Sequence, residues 1–223
     1  KASSELEAAG IPVLAVALNV ANEAQWQEVA DQAIARFGKI HMVVNNAGVT
    51  GDAGTIEQQD AKGWQWALEV NLMGVVYGTK IMVPLIKEHG EGGWLVNVAS
   101  MAGMGGIPYS GVYTATKSAV VALSESWAVE LSDHQINVSV LCPGFVQTRI
   151  HESHRNRPAQ YRSDNGNSSG TSALEQNAKQ MVENGIEVSI VGKRLVEALS
   201  AGEMYVFTHP QYRSAIEQRF KAI

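Results

Sequence analysis

The chain has 223 residues, 45% of them hydrophobic and 17% charged, and carries a formal charge of −5 at pH 7. That length suits one sizeable core and is short for two domains. The acidic balance offers neither a basic field for nucleic acid nor a polybasic patch for a membrane. No apolar run reads as a membrane span and no signal peptide opens the sequence, so a cytoplasmic protein is expected. Cys142 is the only cysteine, which excludes an internal disulfide and suits a reducing compartment. Beside Pro143 at the end of an apolar run, it reads as a small buried hydrophobe.

Taken in chain order, short apolar runs alternate with helical patterns. A helical stretch stops at Gly10, and Pro12 to Leu18 reads as a buried strand. Asn22 suits an N-cap for a helix that runs to Phe37, with Trp26, Val29, Ala30, Ala33 and Ile34 on its apolar face and Gly38 ending it. Ile40 to Val44 is the next strand. Asp60 to Glu88 reads as a long helix with a kink near Gly74 or Pro84. Trp94 to Ala99 is a strand, Ser110 to Leu131 a helix and Ile136 to Leu141 another strand.

After Pro143 the pattern lapses for some thirty residues. Helices resume at Ser172 to Asn184 and Val188 to Ala198, then a strand at Met204 to Phe207 and a helix from Gln211. The alternation predicts an α/β fold: a doubly wound parallel sheet of the Rossmann type in a three-layer α/β/α sandwich, forming one domain over residues 1–223. Such a fold opens on a strand, a glycine-rich turn and a helix, and none stands before Pro12. If Pro12 to Leu18 is the third strand of a 3-2-1-4-5-6 order, a first βαβ segment of roughly 30 to 45 residues is missing from the sequence. Gly103, Gly105 and Gly106 read as loop glycines and not as a phosphate cradle.

The chemistry lies in five segments of fixed order. Asn45-Asn46-Ala47-Gly48 closes a strand, Asn71 lies in a helix, and Ser100 ends a strand. Tyr113 precedes Lys117 by one helical turn, and Pro143-Gly144 with Thr148 follows a third strand. With six tyrosines in the chain, a Tyr-x-x-x-Lys alone is a weak signal, and Tyr109 is a decoy because Tyr113 stands at its +4 position. Singly, Tyr113 also reads as a core tyrosine, Ser100 as a strand-end cap, Asn71 as an amide serving a kinked helix and Pro143-Gly144 as a turn.

Together they read as a hydride-transfer site with a tyrosine acid/base. Tyr113 and Lys117 share a helix face. A phenol of pKa about 10 needs roughly 3 to 4 kcal/mol to titrate two to three units lower. An ammonium about 4 Å away supplies that at an effective dielectric near 20. Ser100 can hydrogen-bond the substrate oxygen. His151 and His154 are too few for a metal site, so no metal is expected.

On these residues, residues 1 to 150 resemble the short-chain dehydrogenase/reductase family. The resemblance implies Asn71, Ser100, Tyr113 and Lys117 as the catalytic set, with Asn71 holding a water that links Lys117 to solvent. It implies NAD or NADP as cofactor. Asn19 and Val20 would meet its adenine end, and Asn45, Ala47 and Gly48 would line the adenosine half. Tyr113 and Lys117 would meet the nicotinamide ribose, and Pro143, Gly144, Val146 and Thr148 the carboxamide. Asn19 departs from the family's usual Asp, so altered adenine contact is expected.

Dehalogenating relatives replace the lysine by arginine, and enoyl reductases space Tyr and Lys further apart; neither pattern is seen here. The resemblance also implies a small-molecule substrate and a homodimer or homotetramer. Residues 149–185 correspond to the family's substrate loop and read as a lid, although the Ser163 to Ser172 stretch also suits a disordered insertion. Ile150-His151-Glu152, Arg157-Pro158-Ala159-Gln160-Tyr161 and Tyr205 to Pro210 resemble bacterial dehydrogenases acting on benzylic alcohols of lignin-type aryl ethers. The expected reaction is therefore the interconversion of a bulky or aromatic secondary alcohol and its ketone. A 3-ketoacyl-thioester reductase and a non-catalytic protein of the same fold are the alternatives.

Overall fold

The structure is a computed structural model and describes residues 2–162 and 173–222. Four strands, β1 (Met42–Asn45), β2 (Gly93–Val98), β3 (Ile136–Cys142) and β4 (Tyr205–Phe207), form one parallel sheet in the order β1-β2-β3-β4. Met42 pairs with Trp94, Gly93 with Ile136 and Val140 with Tyr205. Parallel strands need crossovers, and helices supply them.

Alternation along β3 shows how the layers divide. Val138 and Val140 enter clusters packed by α4 (Gly74–His89) and α5 (Gly111–Leu131), with Trp26 and Ala30 of α2 (Glu23–Phe37) outside α4. Leu141 faces the other way, against Ala198, Leu195 and Val191 of α7 (Val188–Ala201), with Val206 of β4 beside it. Neighbouring residues on a strand point to opposite faces, so β3 is buried on both, and the predicted three-layer doubly wound fold is what forms.

Local chemistry sets most boundaries. Asn22 caps α2 by accepting from the Ala24 N–H at 3.1 Å, and Gly38 (φ 85°) closes it by donating to Ile34 O at 2.8 Å. Asp60 caps α3 (Ala61–Leu68) through the Lys62 N–H at 2.8 Å. Between α3 and α4 lies one π-helical turn, Glu69–Met73. The expected irregularity near Gly74 is therefore a π-bulge, while α4 runs on through Pro84.

Within the helical stretch 61–89 an 18-residue window reaches a mean hydropathy of 1.2, enough by length and composition for a bilayer span. Here Val75, Met82, Val83 and Ile86 put it into the protein core.

Pro12 to Leu18 is not a strand. An apolar run becomes one only beside a neighbour that completes its ladder. β1 is the edge of this sheet and pairs with β2 alone among the described residues. The segment is still held: Leu18 and Val20 pack on the core, and the Trp26 indole N–H donates to Val20 O at 3.0 Å. The remaining differences are at boundaries. α1 spans Ala2–Ala8, and β1 starts at Met42 because Ile40 spends its carbonyl on His89. α6 is Ala173–Glu183, Ser172 lying outside the described residues. Two 3-10 segments, Ile150–Asn156 and Ala159–Tyr161, occupy the stretch where the pattern lapsed, and α8 (Arg213–Lys221) follows a 3-10 turn at Pro210–Tyr212.

Candidate active site

Parallel strands bring the segments after β1, β2 and β3 to one edge of the sheet, where open α/β sheets form binding crevices. A cavity of about 1790 Å³ opens there, larger than the 300–1000 Å³ usual for one ligand. Asn46 to Gly48, Ser100, Tyr113, Lys117 and Thr148 all line it. Four of the five predicted segments thus meet at the cavity, while Asn71 does not line it.

Lys117 is 3% exposed, and its Nζ donates to Val98 O at 2.8 Å. Burial pushes its pKa down to about 8. Burial in turn pushes the Cys142 thiol up to about 12, so it stays neutral. Lys117 Nζ lies 5.7 Å from the centre of the Tyr113 ring.

The expected lowering of the Tyr113 pKa by Lys117 does not occur. Burial raises the phenol, and a hydrogen bond with Ser100 works against that rise. The ammonium is itself destabilised by burial and is turned toward the Val98 carbonyl, so it offers the phenol little.

Ser100 accepts from the Ala102 N–H at 3.1 Å and points its hydroxyl at Pro143 O, 3.4 Å away. It is both a cap and a partner of Tyr113. Asn71 is fully buried within the π-turn. Its Oδ1 accepts from the Val49 N–H at 2.7 Å, and its Nδ2 donates to Val49 O at 2.8 Å and Thr116 Oγ1 at 3.2 Å.

Both amide protons of Asn71 are therefore committed to protein, which leaves its oxygens as the groups that could hold a water. Asn71 clamps the 48–49 backbone to α5. A Cβ on Gly48 would stand 3.5 Å from Lys117 Nζ and 3.6 Å from Asn71 Oδ1, so this backbone passes directly against both groups.

Among the expected cofactor contacts, Asn19, Val20, Ala47, Gly48, Pro143, Gly144, Val146 and Thr148 line the cavity. Asn45 does not. It shares the inward face of β1 with Val43 and is 4% exposed, and its Nδ2 donates to Asn97 Oδ1 at 2.9 Å and Thr79 Oγ1 at 3.2 Å. Asn46, one residue on, takes its place at the cavity wall.

The segment after β3 lines the cavity and is tied to the segment after β1. Arg157 makes a two-pronged pair with Asp52 (2.6 and 3.3 Å), donates to Tyr161 O at 2.8 Å and lies over the Trp66 ring at 5.4 Å. Ser153 Oγ receives the Thr50 N–H at 3.2 Å, and the His154 ring stands 5.9 Å from Trp66. The part of the expected lid at Ser163 to Ser172 lies outside the described residues.

His151 is paired with Glu152 at 3.8 Å. Among the described residues, a histidine and carboxylate group spaced for a cation lies instead at the opposite end of the sheet, at His41, His89 and Glu91. There Lys39 and His41 bind Glu91 and hold its carboxyl at about 2.

Sequence reasoning missed Thr116, the Asp52–Arg157 pair, His209 behind the post-β3 turn, and α8, whose Ile216 and Arg219 also line the cavity. Only the Thr208-His209-Pro210 run offered a signal, since a residue before proline is held extended.

The profile of the short chain dehydrogenase family matches residues 1–159. A CLA biosynthesis dehydrogenase/reductase of Lactiplantibacillus plantarum is 34% identical over 219 residues, covering 96% of this chain and 76% of that protein. A C alpha-dehydrogenase of a Sphingobium species is 29% identical over 229 residues, covering 100% and 72%. The crystal structure of a short chain dehydrogenase/reductase from Burkholderia phymatum in complex with NAD superposes with a TM-score of 0.93 at 34% identity, covering 98% of this chain and 78% of that one. By sequence profile and by fold, the chain belongs to the short chain dehydrogenase family.

Proposed function

We propose that the protein is an NAD- or NADP-dependent oxidoreductase that interconverts a secondary alcohol and a ketone. The observation that carries this reading is the meeting of Ser100, Tyr113 and Lys117 on one wall of a cavity with room for two ligands.

The residues fit a dinucleotide. Lys117 lines the cavity, and its Nζ spends one proton on Val98 O and keeps two for a ligand's hydroxyls. The likeness to an NAD complex supports the same choice. When bound, the dinucleotide supplies or accepts the hydride.

Tyr113 then gives its proton to the carbonyl oxygen in reduction and takes it back in oxidation. Ser100 bonds the same oxygen and fixes it against the phenol. Lys117, whose own pKa of about 8 leaves it able to carry charge near neutrality, would hold the ribose hydroxyls. Asn71 keeps the Gly48–Val49 backbone in register with α5.

Trp66, Met104, Ile107, Tyr109 and Ile150 line the rest of the cavity, which supports a bulky, apolar or aromatic substrate. The unit is read as one domain and, by family analogy, as a homodimer or homotetramer; light scattering showing a monomer sinks the latter.

The decisive experiment is Tyr113→Phe. Turnover should fall by about 10²–10⁴-fold with dinucleotide still bound, since only the acid/base is removed. Turnover near that of the wild type rules the assignment out.

A further inference from the structure

We propose that His209 is a positioning residue for the cofactor: it holds the turn after β3 in the one shape that presents Val146 and Thr148 to the nicotinamide end. The inference rests on the dinucleotide reading above and adds a residue to it.

His209 follows β4, which is paired with β3, so the turns after the two strands lie side by side. It is 5% exposed and uses both ring nitrogens. Nδ1 lies 3.1 Å from the Gly144 N and 2.7 Å from Thr208 Oγ1, and Nε2 lies 3.1 Å from Phe145 O. A backbone N–H can only donate and a carbonyl can only accept. Nδ1 is therefore bare and Nε2 carries the proton.

One neutral tautomer thus fixes the 143–144 and 145–146 peptide groups, on either side of the 144–145 one. Gly144 makes the approach possible: a Cβ there would stand 2.9 Å from His209 Cγ and 2.9 Å from Tyr212 Cε2. The Tyr212 ring, 5.8 Å away, backs the imidazole. From the other side, Ile186 donates to Phe145 O at 3.0 Å and accepts from the Gln147 N–H at 2.9 Å. The turn is held between these two anchors, and the cavity wall at Gly144, Val146 and Thr148 follows directly from it.

The test compares wild type with His209→Phe, His209→Asn and His209→Gln. The readouts are NADH and NADPH titration, steady-state kinetics and hydrogen exchange at the amides of 144–147. Phenylalanine keeps the ring volume and loses both bonds. It should speed exchange at Gly144 and weaken dinucleotide affinity about tenfold, with the KM for the alcohol nearly unchanged. Asparagine keeps an acceptor at the Nδ1 position and should restore binding to within about threefold of wild type, whereas glutamine, which lacks that acceptor, should not.

Wild-type affinity in a folded His209→Phe overturns the proposal. Should that variant fail to fold, equal affinity of the Asn and Gln variants overturns it. If the wild type itself takes up neither dinucleotide, the functional reading falls. Exchange at Gly144 then decides the turn-holding role by itself, and unchanged protection in the phenylalanine variant ends it.

Discussion

Lys117 is a charged side chain held where charge is disfavoured. Its folded pKa of about 8 lies below the ordinary 10.5, so between those values the unfolded chain binds more protons than the folded one. Stability therefore rises with pH across that window, by about 3 kcal/mol for the full shift. Cys142 acts in the opposite sense. Its folded pKa of about 12 exceeds the ordinary 9, so stability is lost between those values.

Subtracting the curve of Lys117→Met from that of the wild type isolates the lysine. The variant should be the more stable at pH 7 by about 1–2 kcal/mol, once the lost bond to Val98 O is counted, and should lose that advantage by pH 10. It should also lose turnover and dinucleotide affinity. Denaturant unfolding at pH 7, 8.5 and 10 checks this, and a pH-independent difference contradicts it.

The Tyr113–Lys117 pair was legible because i and i+4 is a local relation. Their pKa directions were not, because burial is set by β2, β3 and the 98–100 turn, which no spacing reveals. Asn45 was misplaced for a related reason. Its face follows the parity of β1, where Val43 points inward, and a motif reading ignores parity.

At the scale of elements, the segment over the cavity is held by one ion pair with a tight packing requirement. The Arg157 side chain is 9% and the Asp52 side chain 20% exposed, and a Cβ at Gly63 would fall 1.8 Å from Asp52 Oδ2. Arg157→Leu strands the partly buried Asp52 and should cost about 3 kcal/mol. Gly63→Ala drives Asp52 from the same position and should cost a comparable amount.

Because both changes break one interaction, the double variant should be little worse than either single one. Substrate KM should rise in all three with dinucleotide affinity held. Additive losses in urea unfolding refute a common latch. The helix ends at Asn22 and Gly38 were readable, since a cap is chemistry within four residues. The Asp52–Arg157 pair spans 105 residues and carries no local mark. Pro12 to Leu18 failed for the converse reason: its composition suits a strand, but strand formation is decided by a neighbour.

Across the whole molecule, a buried polar chain joins the sheet to its helices. Asn45 donates to Asn97 Oδ1, Asn97 Nδ2 donates to Ser124 Oγ at 2.9 Å, and Ser124 donates to Val120 O at 2.7 Å. Thr79 anchors the other end by donating to Val75 O at 2.8 Å. β1, β2, α4 and α5 are thereby registered by direction as well as by shape, because each hydroxyl spends its one proton on a carbonyl and is left to accept from an amide.

Alternating strands and helices made the layers legible, but Asn97 and Ser124 sit amid apolar runs and read as ordinary pattern breaks. Asn97→Asp tests the directionality with almost no change in volume. A carboxylate cannot donate to Ser124 and would be fully buried beside it, so at pH 7 the variant should lose about 3–5 kcal/mol. The buried acid has a raised folded pKa, so its contribution is present below the unfolded value near 4 and lost as pH rises. Relative to the wild type, the variant should therefore recover stability toward pH 4, where the protonated acid regains a donor. A deficit that stays constant from pH 7 to pH 4 would mean that the chain tolerates either direction and that shape alone sets the register.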